Sequence, residues 1–263
     1  MELKLTGKTA FISGSTQGIG FAIAQQLLQE GVSVTINGRK KSKTEQAKKQ
    51  LQKQFPNGII SAISADFSKK EEVENLLQHL TDIDILVNNI GIFEVEEFQN
   101  ITDEDWYNYF EVNVMSSVRL SRKLLPKMQN KNWGRIIFIS SESGVNVPEN
   151  MIHYGMTKAA MSAIANGLSK LTKGTKITVN TILGGPTYSD GVSKVVEQVA
   201  EAQSLEVEQM KNVIIQQSNP QILLQRFIEP NEIASLVTYL ASPLSIATNG
   251  ASLRADSGVL KII

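Results

Sequence analysis

The sequence has no cysteine and only two histidines, His79 and His153, in 263 residues. The first absence excludes disulfides, thiolate metal sites and cysteine nucleophiles together, and it suits a reducing compartment such as the cytoplasm. Two histidines so far apart build no histidine-rich metal centre, and no metal is expected. Neither sign of charge is in excess, since 26 Lys and Arg balance 26 Asp and Glu. No net field therefore favours nucleic acid or an anionic membrane, and the expected partners are small molecules. The amino end lacks the apolar run of a signal peptide and carries Glu2, Lys4 and Lys8 instead. The longest uncharged stretch, 233–253, is broken by Ser242-Pro243 and Asn249-Gly250, so it reads as helix, turn and strand rather than a membrane span.

What is present is apolar sequence in short, regularly spaced runs. With 41% hydrophobic residues, the chain can bury one large core, and a single domain over 1–263 is expected. Runs rich in β-branched residues occur at 8–13, 32–37, 59–64, 83–88, 135–140 and 177–183, with a seventh at 251–255. Longer segments of helical period separate them. Near-continuous apolar strands alternating with amphipathic helices indicate a doubly wound α/β fold of about seven parallel strands, covered by helices on both faces. The first helix carries Ile19, Ile23 and Leu27 on one stripe and Gly31 at its stop. A long helix is expected over roughly 103–130. The Lys- and Gln-crowded stretch 40–54 reads as a solvated helix face. The polar segment 189–225 is out of proportion for a connection and predicts a helical flap over the substrate.

Two local patterns carry chemistry. The first strand runs into "SGSTQGIG", which sets Gly14, Gly18 and Gly20 at a strand-to-helix turn. Glycines there let the backbone approach a pyrophosphate, held by the positive end of the helix, while Ser15 and Thr16 offer hydroxyls. The second pattern is "HYGMTK", with Tyr154 and Lys158 four residues apart. On a helix they stack one turn apart, and a cation beside a phenol lowers its pKa from about 10. Attraction at about 4 Å and an effective dielectric near 20 is on the order of 4 kcal/mol, enough to bring a proton donor toward working pH.

These patterns stand in an order that resembles the short-chain dehydrogenase/reductase family along the whole chain. The glycine turn is followed by "AD" at 65–66, "NNIG" at 88–91, Asn113, Ser141, Tyr154 and Lys158. The resemblance implies a Rossmann-type nucleotide-binding domain and an oxidoreductase moving hydride between a nicotinamide cofactor and a carbonyl or alcohol. It implies that Tyr154 donates a proton to the carbonyl oxygen and that Ser141 hydrogen-bonds that oxygen. Lys158 would hold the nicotinamide ribose, and Asn113 would anchor a water that relays protons to Lys158. Cofactor contacts implied in the same way are Gly14, Ser15, Thr16, Gly18, Ile19, Gly20, Asp66, Phe67, Asn88, Gly91 and Thr187, besides Tyr154 and Lys158. Asp66 also reads as a cap before Ser68. The chain departs from the family at Ile90, usually alanine, and at Gly184, usually proline, which predicts a looser loop around Thr187.

Residues after the second strand bear on the choice of cofactor. The stretch "NGRKKSK" has no acid to take a ribose 2′-hydroxyl, and Arg39 is placed to meet a 2′-phosphate. NADP(H) and reduction are favoured over NAD(H), which remains open; NAD-type relatives carry an acid at the position of Gly38. Phe93, Val145, Met151, His153 and Tyr188 are candidates for the substrate pocket. Small and apolar residues wrap more than one face of the helix after Tyr154, which resembles the family's helical interface and predicts a homodimer or homotetramer. The competing reading is a nucleotide-binding sensor or scaffold without turnover. A serine hydrolase lacks support, because no G-x-S-x-G elbow occurs.

Overall fold

The computed structural model describes residues 2–261. Seven strands, β1 (Thr9–Ile12), β2 (Ser33–Gly38), β3 (Ile60–Ser64), β4 (Ile85–Asn88), β5 (Gly134–Ser141), β6 (Ile177–Gly184) and β7 (Ser252–Ala255), match the seven apolar runs to within two residues at each end. All pair in parallel, in the order β3-β2-β1-β4-β5-β6-β7. Alternate residues of each strand serve opposite faces. Ile12, Ile85, Val87, Ile137 and Ile139 pack with Ile23 and Leu27 of α1 (Gly18–Gln29), Leu51 of α2 (Lys41–Gln54) and Leu240 of α9 (Pro230–Ala241). Phe11, Leu86, Ile136 and Phe138 face the other way, against Leu76 of α3 (Lys70–His79), Leu124 of α5 (Ser116–Lys131) and Met161 of α6 (Ile152–Lys170). Each such side chain, fully buried, contributes about 1.5–3 kcal/mol, which is why both faces must be apolar.

The expected helix over 103–130 is helical throughout but not uniform. It consists of α4 (Asp103–Tyr109), a six-residue π turn (Phe110–Met115) and α5. Thr102 and Asp105 form a reciprocal capping box that starts it. Asn113 lies in the π turn, and such widened turns are where a helix accommodates an unusual demand from its surroundings. The segment over 189–225 folds as α7 (Asp190–Ala202) and α8 (Val207–Ser218). Val196, Ala200, Met210, Ile215 and Phe227 give the pair a small core of its own. Among the described residues no helix is long and apolar enough to cross a membrane.

The strand order reverses between β1 and β4. The crevice beyond their carboxyl ends is where a doubly wound sheet receives its ligand, and the loops following β1, β2, β3, β4, β5 and β6 all open there.

Candidate active site

Where β1 gives way to α1, Gly14 and Gly18 adopt φ of 61° and 57°, backbone conformations that favour glycine. A Cβ on Gly20 would stand 2.8 Å from Ser15 Cα and also collide with the Gly14 carbonyl, so glycine lets the helix sit directly under the turn. The turn is tied in place by two asparagines. The Gly14 N–H donates to Asn37 Oδ1 at 3.1 Å, and Asn89 Nδ2 donates to the carbonyls of Ser13 and Gly14 at 3.1 and 2.9 Å. One amide at the start of α1 already holds an anion: the Gly18 N–H donates to the Asp190 carboxylate at 2.5 Å. That carboxylate stands in for a phosphate oxygen, and the arrangement fits a dinucleotide.

A cleft of about 660 Å³ runs from this turn to the end of β5. Gly14, Gly18, Ile19, Arg39, Asp66, Phe67, Gly91, Ser141, Tyr154, Lys158 and Thr187 line it. Ser15, Thr16, Gly20, Asn88 and Asn113 do not. The Ser15 hydroxyl is fully buried, donates to the Ile12 carbonyl at 2.7 Å and accepts the Asn37 N–H at 2.9 Å, so it joins β1 to β2. Thr16 turns its methyl toward the α-carbon of Gly38. Asn88 lies beneath the floor and donates to Ser121 Oγ at 3.3 Å. Asp66 lines the cleft and is also a cap, accepting from Ser68 N and Oγ at 3.0 and 2.7 Å. Burial works to raise its pKa, but those bonds and the Arg39 charge hold it below the usual carboxylate range.

Ser141 ends β5, and α6 places Tyr154 and Lys158 one turn apart beside it. Lys158 is buried, donates its ammonium to the Ile139 carbonyl at 2.9 Å, and lies 5.5 Å from the centre of the Tyr154 ring. The phenol is not lowered as the spacing suggested. Burial pushes Tyr154 upward, and the Glu142 carboxylate adds to the rise, while the Ser141 hydroxyl works the other way. Burial brings Lys158 down to about 8. The proton donor is therefore held protonated and the cation is the group poised to titrate. The Asn113 amide is satisfied: Oδ1 accepts the Ile92 N–H at 2.8 Å, and Nδ2 donates to the Ile92 carbonyl and Thr157 Oγ1, both at 3.0 Å. It braces the loop after β4 against α6.

Three neighbours of the cleft were not singled out from sequence: Asn37, Asp190 and Glu142. The signal for Glu142 was an acid directly after Ser141 in "SSES". Its Oε2 accepts from Ser141 Oγ at 2.5 Å and its Oε1 from Ser143 Oγ at 3.2 Å. Burial raises its pKa, partly offset by those bonds. Of the pocket candidates, Phe93 and Met151 line the cleft, and Phe93 meets Tyr154 edge-on at 6.2 Å. Val145 stands outside it, half exposed. His153 is buried against Tyr109, ring centres 4.1 Å apart, and Tyr188 packs on Phe227. The loop around Thr187 is not slack despite Gly184. Ile228 pairs with it like a strand, accepting the Tyr188 N–H at 2.9 Å and donating to the Pro186 carbonyl at 2.8 Å.

Known proteins resemble this chain in sequence and fold. The Bacillus subtilis protein called uncharacterized oxidoreductase YvaG is 42% identical over the full length of both chains. A D-beta-hydroxybutyrate dehydrogenase of Cupriavidus necator is 30% identical, covering 97% of this chain and 98% of its own. The crystal structure of L-sorbose reductase from Gluconobacter frateurii, complexed with NADPH and L-sorbose, superposes over the whole of both chains with a TM-score of 0.93 at 28% identity. A family model described as short chain dehydrogenase matches residues 8–200, from the head of β1 through the glycine turn and the Ser141, Tyr154 and Lys158 cluster into α7. With that match and full-length relatives in agreement, this chain belongs to the short-chain dehydrogenase family and is an oxidoreductase.

Proposed function

We propose that the protein is an NADPH-dependent reductase of a small ketone or aldehyde. One observation carries the reading: the hydroxyls of Ser141 and Tyr154 meet beside buried Lys158 at the end of β5, on the same cleft as the glycine turn and Arg39. The nicotinamide, when bound, supplies the hydride that reaches the carbonyl carbon. Tyr154 gives the phenolic proton to the carbonyl oxygen as negative charge develops there, and its upward-shifted pKa keeps that proton in place until needed. Lys158 sits one turn away as the cation that stabilises the phenolate left behind. Asn113 fixes the loop after β4 against Thr157 of α6, which holds the cleft wall opposite these groups. Arg39 is the group at the rim of β2 for a 2′-phosphate, and the NADPH-bound sorbose reductase supports that choice.

The test follows nicotinamide absorbance across a panel of ketones and aldehydes, with Tyr154→Phe beside the wild type. Turnover is expected to fall by roughly 10²- to 10⁴-fold while NADPH binding is kept, since the ring stays and the proton donor goes. Near-normal turnover in the variant would remove Tyr154 from the mechanism. NADPH binding without consumption of any carbonyl would point to a sensor instead.

A further inference from the structure

Beyond raising the Tyr154 pKa, Glu142 has no part in the reduction as described, yet it lines the cleft with Ser141 and Tyr154. A serine hydroxyl has one proton to give. Here Ser141 spends it on Glu142 Oε2 at 2.5 Å, while its oxygen accepts the Ser143 N–H at 3.1 Å. A plain ketone arriving there would meet the Tyr154 proton but find lone pairs on Ser141 where a second hydrogen bond is wanted. A ketone with a hydroxyl on the neighbouring carbon resolves the conflict, because that hydroxyl can donate to Glu142 and release the Ser141 proton to the carbonyl. Spacing agrees, since the carboxylate lies one hydrogen bond from Ser141, as the second oxygen of such a substrate lies one step from the first.

Charge narrows the class further. Phe93 meets the Tyr154 ring, and the cleft is further lined by the apolar Val112, Met151, Val192 and Phe227 and by the uncharged Asn108 and Ser143. Of the two cations lining the cleft, Arg39 stands at the nucleotide end and Lys158 is turned onto the Ile139 carbonyl. A substrate carboxylate would face Glu142 with no guanidinium to receive it. We propose that Glu142 selects α-hydroxy ketones, the acyloin and ketose class, over simple ketones and oxo acids, by exchanging its bond to Ser141 for one to the substrate hydroxyl. This rests on the carbonyl reduction proposed above.

The experiment compares kcat/KM with NADPH for hydroxyacetone against acetone, for 3-hydroxy-2-butanone against 2-butanone, and for 2-oxobutanoate. In the wild type each hydroxy ketone should exceed its partner by roughly 10²-fold or more, since a site built to pair a hydroxyl rejects the analogue without one. In Glu142→Ala the ratio should fall to within about tenfold of unity, chiefly because the simple ketones improve once the Ser141 proton is free. NADPH affinity, measured by fluorescence titration, should not move, which also shows that the variant folds. Equal rates on hydroxy and simple ketones in the wild type, a preference for the oxo acid, or an unchanged ratio in Glu142→Ala would each overturn the assignment while leaving carbonyl reduction intact. NADPH binding with no consumption by any of the five carbonyls would overturn both.

Discussion

Arg39 stands exposed at the end of β2, sharing the cleft rim with Asp66. If its guanidinium meets the 2′-phosphate, the contact is worth about 1.5–3 kcal/mol, so Arg39→Ala should weaken NADPH by roughly ten- to a hundredfold and leave NADH almost unchanged. The ratio of the two Michaelis constants at fixed salt reads this, and an unmoved ratio would make Arg39 a surface residue only. Converting the site to NAD by an acid at Gly38 requires its neighbours to shift. A Cβ there would press on the Thr16 methyl and stand 2.8 Å from Thr44 Oγ1. Lys158 makes a second residue-scale prediction. Its pKa of about 8 lies below the free value of 10.5, so the cation is intact at neutral pH and disappears as pH rises through about 8. The kcat/KM for reduction should therefore be level below that pH and decline above it, because Tyr154 then loses the charge that stabilises its phenolate. A profile still flat well above pH 8 would contradict this role.

Among the elements, α7 is the one that holds the cleft in its present form. Its first residue, Asp190, spans 172 positions of sequence to reach Gly18, and its carboxylate sits on an amide of the glycine turn. If that amide receives the pyrophosphate, nucleotide entry displaces Asp190. Asp190→Ala should then tighten NADPH in a direct binding measurement by about three- to tenfold, because the free protein no longer holds the competing contact. Weaker binding would show that Asp190 supports the bound nucleotide instead. The π turn acts at the same scale. It lets Asn113 point its amide at Ile92 and Thr157 together, so that one side chain ties the loop after β4 to α6.

For the whole molecule, balanced charge and an uneven distribution of apolar surface bear on assembly. On α6, Met161 and Ala165 are buried against the sheet, while Ala159 and Ala163 remain exposed on another face. Tyr107 of α4 is 74% exposed, and Phe110 of the π turn is also open to solvent. A small-residue face that lets backbones approach, with large apolar side chains nearby, suits a second copy of the chain. Light scattering at micromolar concentration is expected to give the mass of a dimer or tetramer. The mass of a single chain would contradict it.

Sequence alone determined the sheet, because burial on both faces demands near-continuous apolar strands and the helices between them must cover those faces. It also determined the phosphate turn, where Gly18 and Gly20 answer steric limits a few residues apart, and the pairing of Tyr154 with Lys158, which follows from helical spacing. Tertiary structure decided which way the neighbouring polar groups point. Ser15 and Asn88 turn inward to β2 and α5: the buried Ser15 hydroxyl finds partners there, and Asn88 Nδ2 reaches Ser121 while its buried Oδ1 meets no partner. The pKa of Tyr154 was decided there too, by depth of burial and by the carboxylate of Glu142, neither of which four-residue spacing can report. The same holds for Asp190 on Gly18, a contact that exists only because the chain returns to the first turn after six strands. Local sterics and periodicity are written in short stretches of sequence; orientation and electrostatics belong to groups brought together across the fold.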